Sequence, residues 1–103
     1  MTKMNQLTGF QRDLLWTVAD IQPAIGQEIK RELEEEGYEV VTHGRFYPNM
    51  DELVSAGLVE KHVQVPDLRT NTYTLTDEGH RVLEERKRWE ADRANPPAQV
   101  TAD

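Results

Sequence analysis

The stretch that most constrains this chain runs from Thr42 to Leu58. Phe46, Met50, Leu53, Val54 and Gly57 recur at i, i+4, i+7, i+8 and i+11, which places them on one face of a helix. Thr42 stands where a hydroxyl can accept from the first-turn N–H groups, and Gly57 stands where a left-handed residue stops the helix. Arg45 and Asn49 fall on the opposite face, with Tyr47 at its edge. From Val40 to Met50 there is no acid, although the chain carries 19 acids against 12 bases. An acid-free window on one helix of an acidic chain marks a face kept clear for a polyanion. Pro48 leaves two readings of this stretch, because proline inside a helix removes a hydrogen bond and crowds the preceding turn. Either a loop leads into a helix from Asn49 onward, or one irregular helix runs through.

A chain of 103 residues has room for one domain with one modest core. No apolar run approaches a membrane span and no signal-peptide pattern opens the chain, so a cytoplasmic protein is expected. The absence of cysteine excludes disulfides and thiolate metal sites. His43, His62 and His80 are scattered without metal-ligand spacing. There is no phosphate-cradling glycine loop, nucleophile elbow or paired-acid site. The expectation is therefore no enzyme, no catalytic or metal-binding residue and no cofactor.

The net charge of −7 argues against nucleic acid, since most DNA-binding domains gain affinity by releasing counterions from phosphates. Arginine outnumbers lysine eight to four, and acids gather between Glu28 and Glu39, away from the Thr42–Leu58 stretch. An acidic, lysine-poor surface fits a protein from salt-saturated cytoplasm; an ordinary acidic surface is the other reading.

Taken in order, residues 1–7 read as a flexible arm. Thr8 caps a first helix on which Phe10, Leu14, Val18 and Ile21 share a face, leaving Leu15 and Trp16 off it. Pro23 marks a turn. Ile25, Ile29 and Leu33 define a second helix, with Glu28, Lys30, Arg31, Glu32 and Glu34 toward solvent and Gly37 at its end. Tyr38–Val41 is an extended connector into the third helix. Leu58–Val65 alternates as a strand, Pro66–Asn71 is turn chemistry, and Thr72–Leu75 returns, making a hairpin with Arg69 at its tip. Thr76 caps a last helix that has acids in its first turn. Its thin apolar stripe is Val82, Leu83 and Trp89, and Glu84–Arg88 and Arg86–Glu90 have pairing distance. Asn95-Pro96-Pro97 ends it, and residues 95–103 are expected to be disordered.

Three motifs carry a resemblance. His43-Gly44-Arg45-Phe46-Tyr47-Pro48-Asn49-Met50, followed by Leu53 and Ala56-Gly57-Leu58-Val59, resembles the recognition helix of PadR-like winged helix-turn-helix transcription regulators. Thr72 to Gly79 resembles their closing strand and last-helix start, and Leu7 to Leu15 resembles the opening of haloarchaeal members. The resemblance spans about Leu7 to Trp89 and favours the continuous helix through Pro48. It implies an α+β, mainly helical fold: a winged helix-turn-helix domain over 8–76 with a two-stranded wing, and a C-terminal dimerisation helix over 77–94.

The function it implies is sequence-specific DNA binding by a homodimer on an inverted-repeat operator, with no membrane partner and no known small-molecule ligand. Arg45 would read a guanine edge and Asn49 an adenine. Thr42, His43 and Tyr47 would hold phosphates beside Gly44 at the helix N-terminus, and Arg69 and Asn71 would act from the wing. The wing departs from the pattern in carrying Pro66-Asp67 where relatives often carry bases. Leu15, Trp16, Val82, Leu83, Arg86 and Trp89 are the expected dimer contacts. The competing reading is a winged-helix module that binds protein instead of DNA.

The charge generates a first prediction. Self-repulsion destabilises a compact acidic domain and is screened by ions, so the melting temperature should climb steeply from low salt to molar KCl. A melting temperature independent of KCl, followed by circular dichroism, would count against a salt-adapted surface.

Overall fold

A computed structural model describes residues 2–63 and 71–94. Helix α1 spans Gly9–Ile21, strand β1 Ala24–Ile25, helix α2 Gly26–Glu35, helix α3 His43–Ser55, strands β2 and β3 Val59–His62 and Thr72–Leu75, and helix α4 Asp77–Ala94. Helix α1 packs against α2, α3, α4 and β3, so it is the hub of the domain. Four helices with a small antiparallel sheet make the winged-helix fold.

The helix boundaries follow local chemistry. Thr8 accepts from Gln11 N–H, and the Gln11 side chain returns to Thr8 N–H, a reciprocal capping box at the start of α1. Thr42 accepts from Arg45 N–H at 3.2 Å to cap α3. Helices α2 and α3 end alike. Gly37 and Gly57 take φ +125° and +78°, and the next residue's N–H reaches back to the third-last helical carbonyl: Tyr38 to Leu33 at 3.1 Å, Leu58 to Leu53 at 3.0 Å. Helix α3 is continuous through Pro48. The proline ring falls at the sixth helical position, where its missing N–H leaves the Gly44 carbonyl without the usual i→i−4 donor.

The core joins Leu14, Leu15 and Val18 of α1 to Ile29, Leu33, Val41, Phe46, Met50 and Leu53, then to Leu58, Val59, Tyr73, Leu75, Val82 and Leu83. The sheet order is β1-β3-β2. Tyr73 lies opposite Ala24 on one side and Lys61 on the other, and Thr72 lies opposite Ile25 and His62. The start of α4 is fastened to the end of α3. Thr76 donates its N–H to the Leu58 carbonyl and its hydroxyl to the Gly57 carbonyl at 2.6 Å, and its Oγ1 accepts from Gly79 N–H at 3.0 Å.

Several expectations are corrected. The sheet has a third strand, Ala24–Ile25, because two residues after Pro23 pair with β3; a pair so short carries no alternation to recognise. The arm is not loose at its inner end: Met4–Gln6 forms a 3₁₀ turn and Met4 is 4% exposed, laid against α4. Leu15 is fully buried, because a hub helix buries far more than one stripe. Lys30, placed toward solvent from its spacing, is 7% exposed: its methylene stem is covered by the domain. Val82 and Leu83 are core residues, since the first turns of α4 lie on α1 and β3. Glu84 pairs with Lys87 at 3.8 Å, whereas Arg86–Glu90 forms as expected at 3.0 Å. The strand expected to reach Val65 ends at His62 among the described residues, and Gln64, Val65, the wing tip with Arg69 and the 95–103 tail lie outside them.

Gly79 generates the next prediction. A Cβ there would stand 2.2 Å from the Leu58 carbonyl oxygen, a backbone atom that cannot rotate away. Gly79→Ala should lower stability by about 1–3 kcal/mol, read from the denaturation midpoint in molar KCl. Gly44→Ala, where a Cβ meets nothing within 4 Å, is the control and should leave the midpoint unchanged or raise it.

Candidate nucleic-acid interface

The outward side of α3 begins with Thr42, His43, Gly44 and Arg45, all exposed. The N–H groups of His43 and Gly44 precede the first intrahelical bond, Arg45 N–H is taken by Thr42, and no acid stands in the helix before Asp51. The exposed acids Asp51 and Glu52 follow on its later half. The positive end of the helix dipole therefore coincides with the acid-free part of the sequence.

The aromatic and charged side chains of this strip have supports, within α3 for His43 and on neighbouring elements for Arg45. His43 stacks on Tyr47, one helical turn on, with centroids 5.4 Å apart and planes 11° from parallel. Tyr47 also meets Phe46 edge-on at 4.8 Å. Its hydroxyl would lie 2.7 Å from a Cβ at Gly26, so the start of α2 approaches α3 closely because that residue is glycine. Arg45 sets its guanidinium carbon 4.0 Å from the Phe10 ring centroid and 5.6 Å from that of Tyr38. The Tyr38 hydroxyl donates to Asp13, and this bond is the first cause that pushes the phenol up from its ordinary pKa.

Asn49 has partners within the domain that its spacing did not announce. Its Oδ1 accepts from Gln11 Nε2 at 3.0 Å and its Nδ2 donates to the Arg45 carbonyl at 2.7 Å. Gln11 also donates to Glu52 Oε1 at 2.9 Å. Both ends of the Asn49 amide are thus engaged, Oδ1 in fastening α3 to α1 and Nδ2 within α3 itself. The spacing that put Asn49 on the outer face was sound, but the reach of a buried Gln11 from another helix is invisible in periodicity.

The remaining sequence-derived residues scatter. Asn71 is half-buried just before β3, and Arg69 is outside the described residues. Leu15, Val82 and Leu83 are inside the core, Trp16 packs partly buried against it, and Arg86 is half-buried. Trp89 is 44% exposed, with the guanidinium carbons of Arg86 and Arg93 at 4.0 and 3.8 Å from its ring centroid. Phe10, Gln11, Asp13 and Tyr38 were not anticipated as parts of this surface. One signal existed: Gln11 lies three residues after the capping Thr8, which fixes its backbone position but not its second set of partners.

The architecture and the sequence agree on ancestry. The family model described as the Transcriptional regulator PadR-like family matches residues 14–85. The chain belongs to that family. It is similar to H. salinarum RosR in crystals grown from NaBr, at 43% identity over 90% of this chain and 82% of that one, with TM-score 0.80. The RosR chain in the structure of the complex hsRosR-SG is 41% identical over 95% of this chain and 85% of that one, with TM-score 0.83. The transcriptional repressor CouR bound to a 23-mer DNA duplex is 28% identical over 85% of this chain and 58% of that one, with TM-score 0.69. No curated protein matches the chain. Among the described residues no three histidines, cysteines or acids are grouped to hold a metal ion.

Tyr73, on β3 behind α3, gives a pH prediction. Burial, then the neighbouring Tyr47 and Asp51, push its phenol from 10 up to about 12. A raised folded-state pKa means stability is complete below pH 10 and is lost as the pH rises toward 12, because the unfolded phenol ionises first. In a spectrophotometric titration the Tyr73 phenolate should appear last and together with unfolding. Tyr73→Phe should remove that final step; a variant that keeps it would assign the step elsewhere.

Proposed function

We propose that the chain is a homodimeric, sequence-specific DNA-binding transcription regulator that lays α3 in the major groove. The observation carrying this reading is the coincidence of an acid-free, exposed helix N-terminus with Arg45 on a chain of net charge −7. CouR, similar in fold, is bound to a DNA duplex, which supports the same partner here. Gly44 adds a local argument. Glycine costs a helix about 1 kcal/mol relative to alanine, and inside the protein nothing occupies the space a Cβ would take. Close approach of a phosphate to the helix backbone accounts for it.

Within this reading Arg45 contacts a guanine edge through its paired N–H donors. Thr42, His43 and the first-turn N–H groups hold phosphates, with Arg69 and Asn71 contributing from the wing. Asn49 acts through α1 rather than on a base.

Dimerisation rests on the outer half of α4. With Leu15, Val82 and Leu83 consumed by the core, Trp89 and Arg86 are left beside a groove of about 450 Å³ that Lys3, Met4 and Asn5 close from the other side. A second copy across a two-fold axis would cover it and hold two α3 helices about 34–36 Å apart, matching an inverted repeat. The salt-adapted, cytoplasmic, archaeal setting is supported by the likeness to RosR of H. salinarum. No helix among the described residues is long and apolar enough to cross a membrane.

The test combines two variants with the wild type on a duplex selected from a random library. Arg45→Ala should remove about 1–3 kcal/mol of discrimination over random sequence. Trp89→Glu should weaken both dimerisation, by light scattering, and DNA binding. A wild type that is monomeric at micromolar concentration, or that never prefers one duplex over random DNA, would favour the protein-binding module instead.

A further inference from the structure

The corner in which Arg45 sits is built from three residues on other elements. Phe10 belongs to the first turn of α1 and is 7% exposed. Tyr38 belongs to the connector after α2, and its ring meets Phe10 edge-on at 5.5 Å and 74°. Asp13, one turn beyond Phe10, accepts the Tyr38 hydroxyl. The Phe10 ring face and the Tyr38 ring bound the guanidinium on two sides. Among the described residues no carboxylate is within ion-pair distance of Arg45.

Stacking and base reading use different parts of a guanidinium. A cation over a ring is attracted through its flat face, whereas a guanine O6/N7 pair is contacted in the plane, through the N–H edge. A guanidinium laid flat on Phe10, as a separation of 4.0 Å allows, keeps its reading edge available. An exposed arginine without such a support samples many rotamers and loses that freedom on binding.

We propose that Phe10, Tyr38 and Asp13 are positioning residues that aim Arg45, and that this aromatic corner sets the direction in which α3 reads a base. The proposal rests on the reading of α3 as a recognition helix. Phe10 supplies the platform, Tyr38 closes its side, and Asp13 fixes the Tyr38 ring by accepting its hydroxyl. Loss of the corner leaves the charge of Arg45 in place, so attraction to phosphates persists while the choice between bases weakens.

The experiment uses the full chain in molar KCl for folding and NMR, and at lower salt for binding. The probe is a duplex selected by the wild type, with a second duplex in which the preferred guanine is replaced by adenine. In the free wild type the Arg45 Nε–H resonance should be shifted upfield by the Phe10 ring, and Phe10→Leu should abolish that shift. Phe10→Leu should then lose about three- to tenfold in guanine-over-adenine discrimination, with the salt slope of binding to random DNA unchanged. Should Phe10→Leu not fold, Tyr38→Phe and Asp13→Ala carry the same test, since each removes one end of a hydrogen bond outside the core.

A folded corner variant with wild-type discrimination would overturn the proposal. So would one that binds more tightly, since the corner would then be storing Arg45 away from DNA. Arg45→Ala separates the two levels. If it leaves discrimination intact, the recognition-helix reading itself fails. If it removes discrimination while the corner variants do not, only the positioning role fails.

Discussion

The fold depends on how completely α1 is enclosed. Leu14, Leu15 and Val18 are fully buried, and α1 touches every other helix and the central strand. At about 25 cal/mol per Å² of apolar surface removed from water, a domain this small cannot spread its burial over several sub-cores. It concentrates burial on one helix and hangs the others from it. That arrangement also decides where polar groups can be spent. Gln11, enclosed on α1, bridges to Asn49 and Glu52, and Phe10 and Asp13 face Arg45 and Tyr38. The outer surface of α3 is thus shaped from behind by residues of α1.

What was legible in the sequence was whatever local chemistry determines. Thr8, Thr42 and Thr76 announce helix starts because a hydroxyl at that position satisfies backbone N–H groups. Gly37 and Gly57 announce ends because the left-handed conformation is cheap for glycine. The apolar face of α3 and the exposure of Thr42, His43 and Arg45 followed from period and capping, whereas its continuity through Pro48 was favoured by the family resemblance alone. What was not legible depended on elements far apart in the chain. The pairing of Ala24–Ile25 with Thr72–Tyr73 leaves no pattern in two residues. The burial of Leu15, Val82 and Leu83 reflects how many neighbours a helix has, whereas a stripe of spacing assumes one. The engagement of the Asn49 amide needed the position of Gln11 in space.

The charge distribution reconciles an acidic protein with a polyanion partner. Acids crowd α2 and its exit, where Glu34, Glu35, Glu36 and Glu39 are exposed, and are absent from the first turns of α3. Glu34 is also structural, since its carboxylate accepts the Val41 N–H at 2.8 Å and ties the connector to α2. In concentrated salt the long-range part of the repulsion is screened within a few ångströms. What persists at short range is the local composition of the contact face, and among the described residues Arg45 has no carboxylate at ion-pair distance.

The fastening of α4 to the end of α3 has a mechanical meaning. Thr76 bonds to the Gly57 and Leu58 carbonyls, and Gly79 lies against Leu58 with no space for a methyl group. The start of α4 and the turn that ends α3 meet without slack. Helix α4 has 18 residues and is about 27 Å long. Its short end is fixed to the turn that closes α3, so a tilt of α4 about that end would carry the turn, and with it the helix of Arg45.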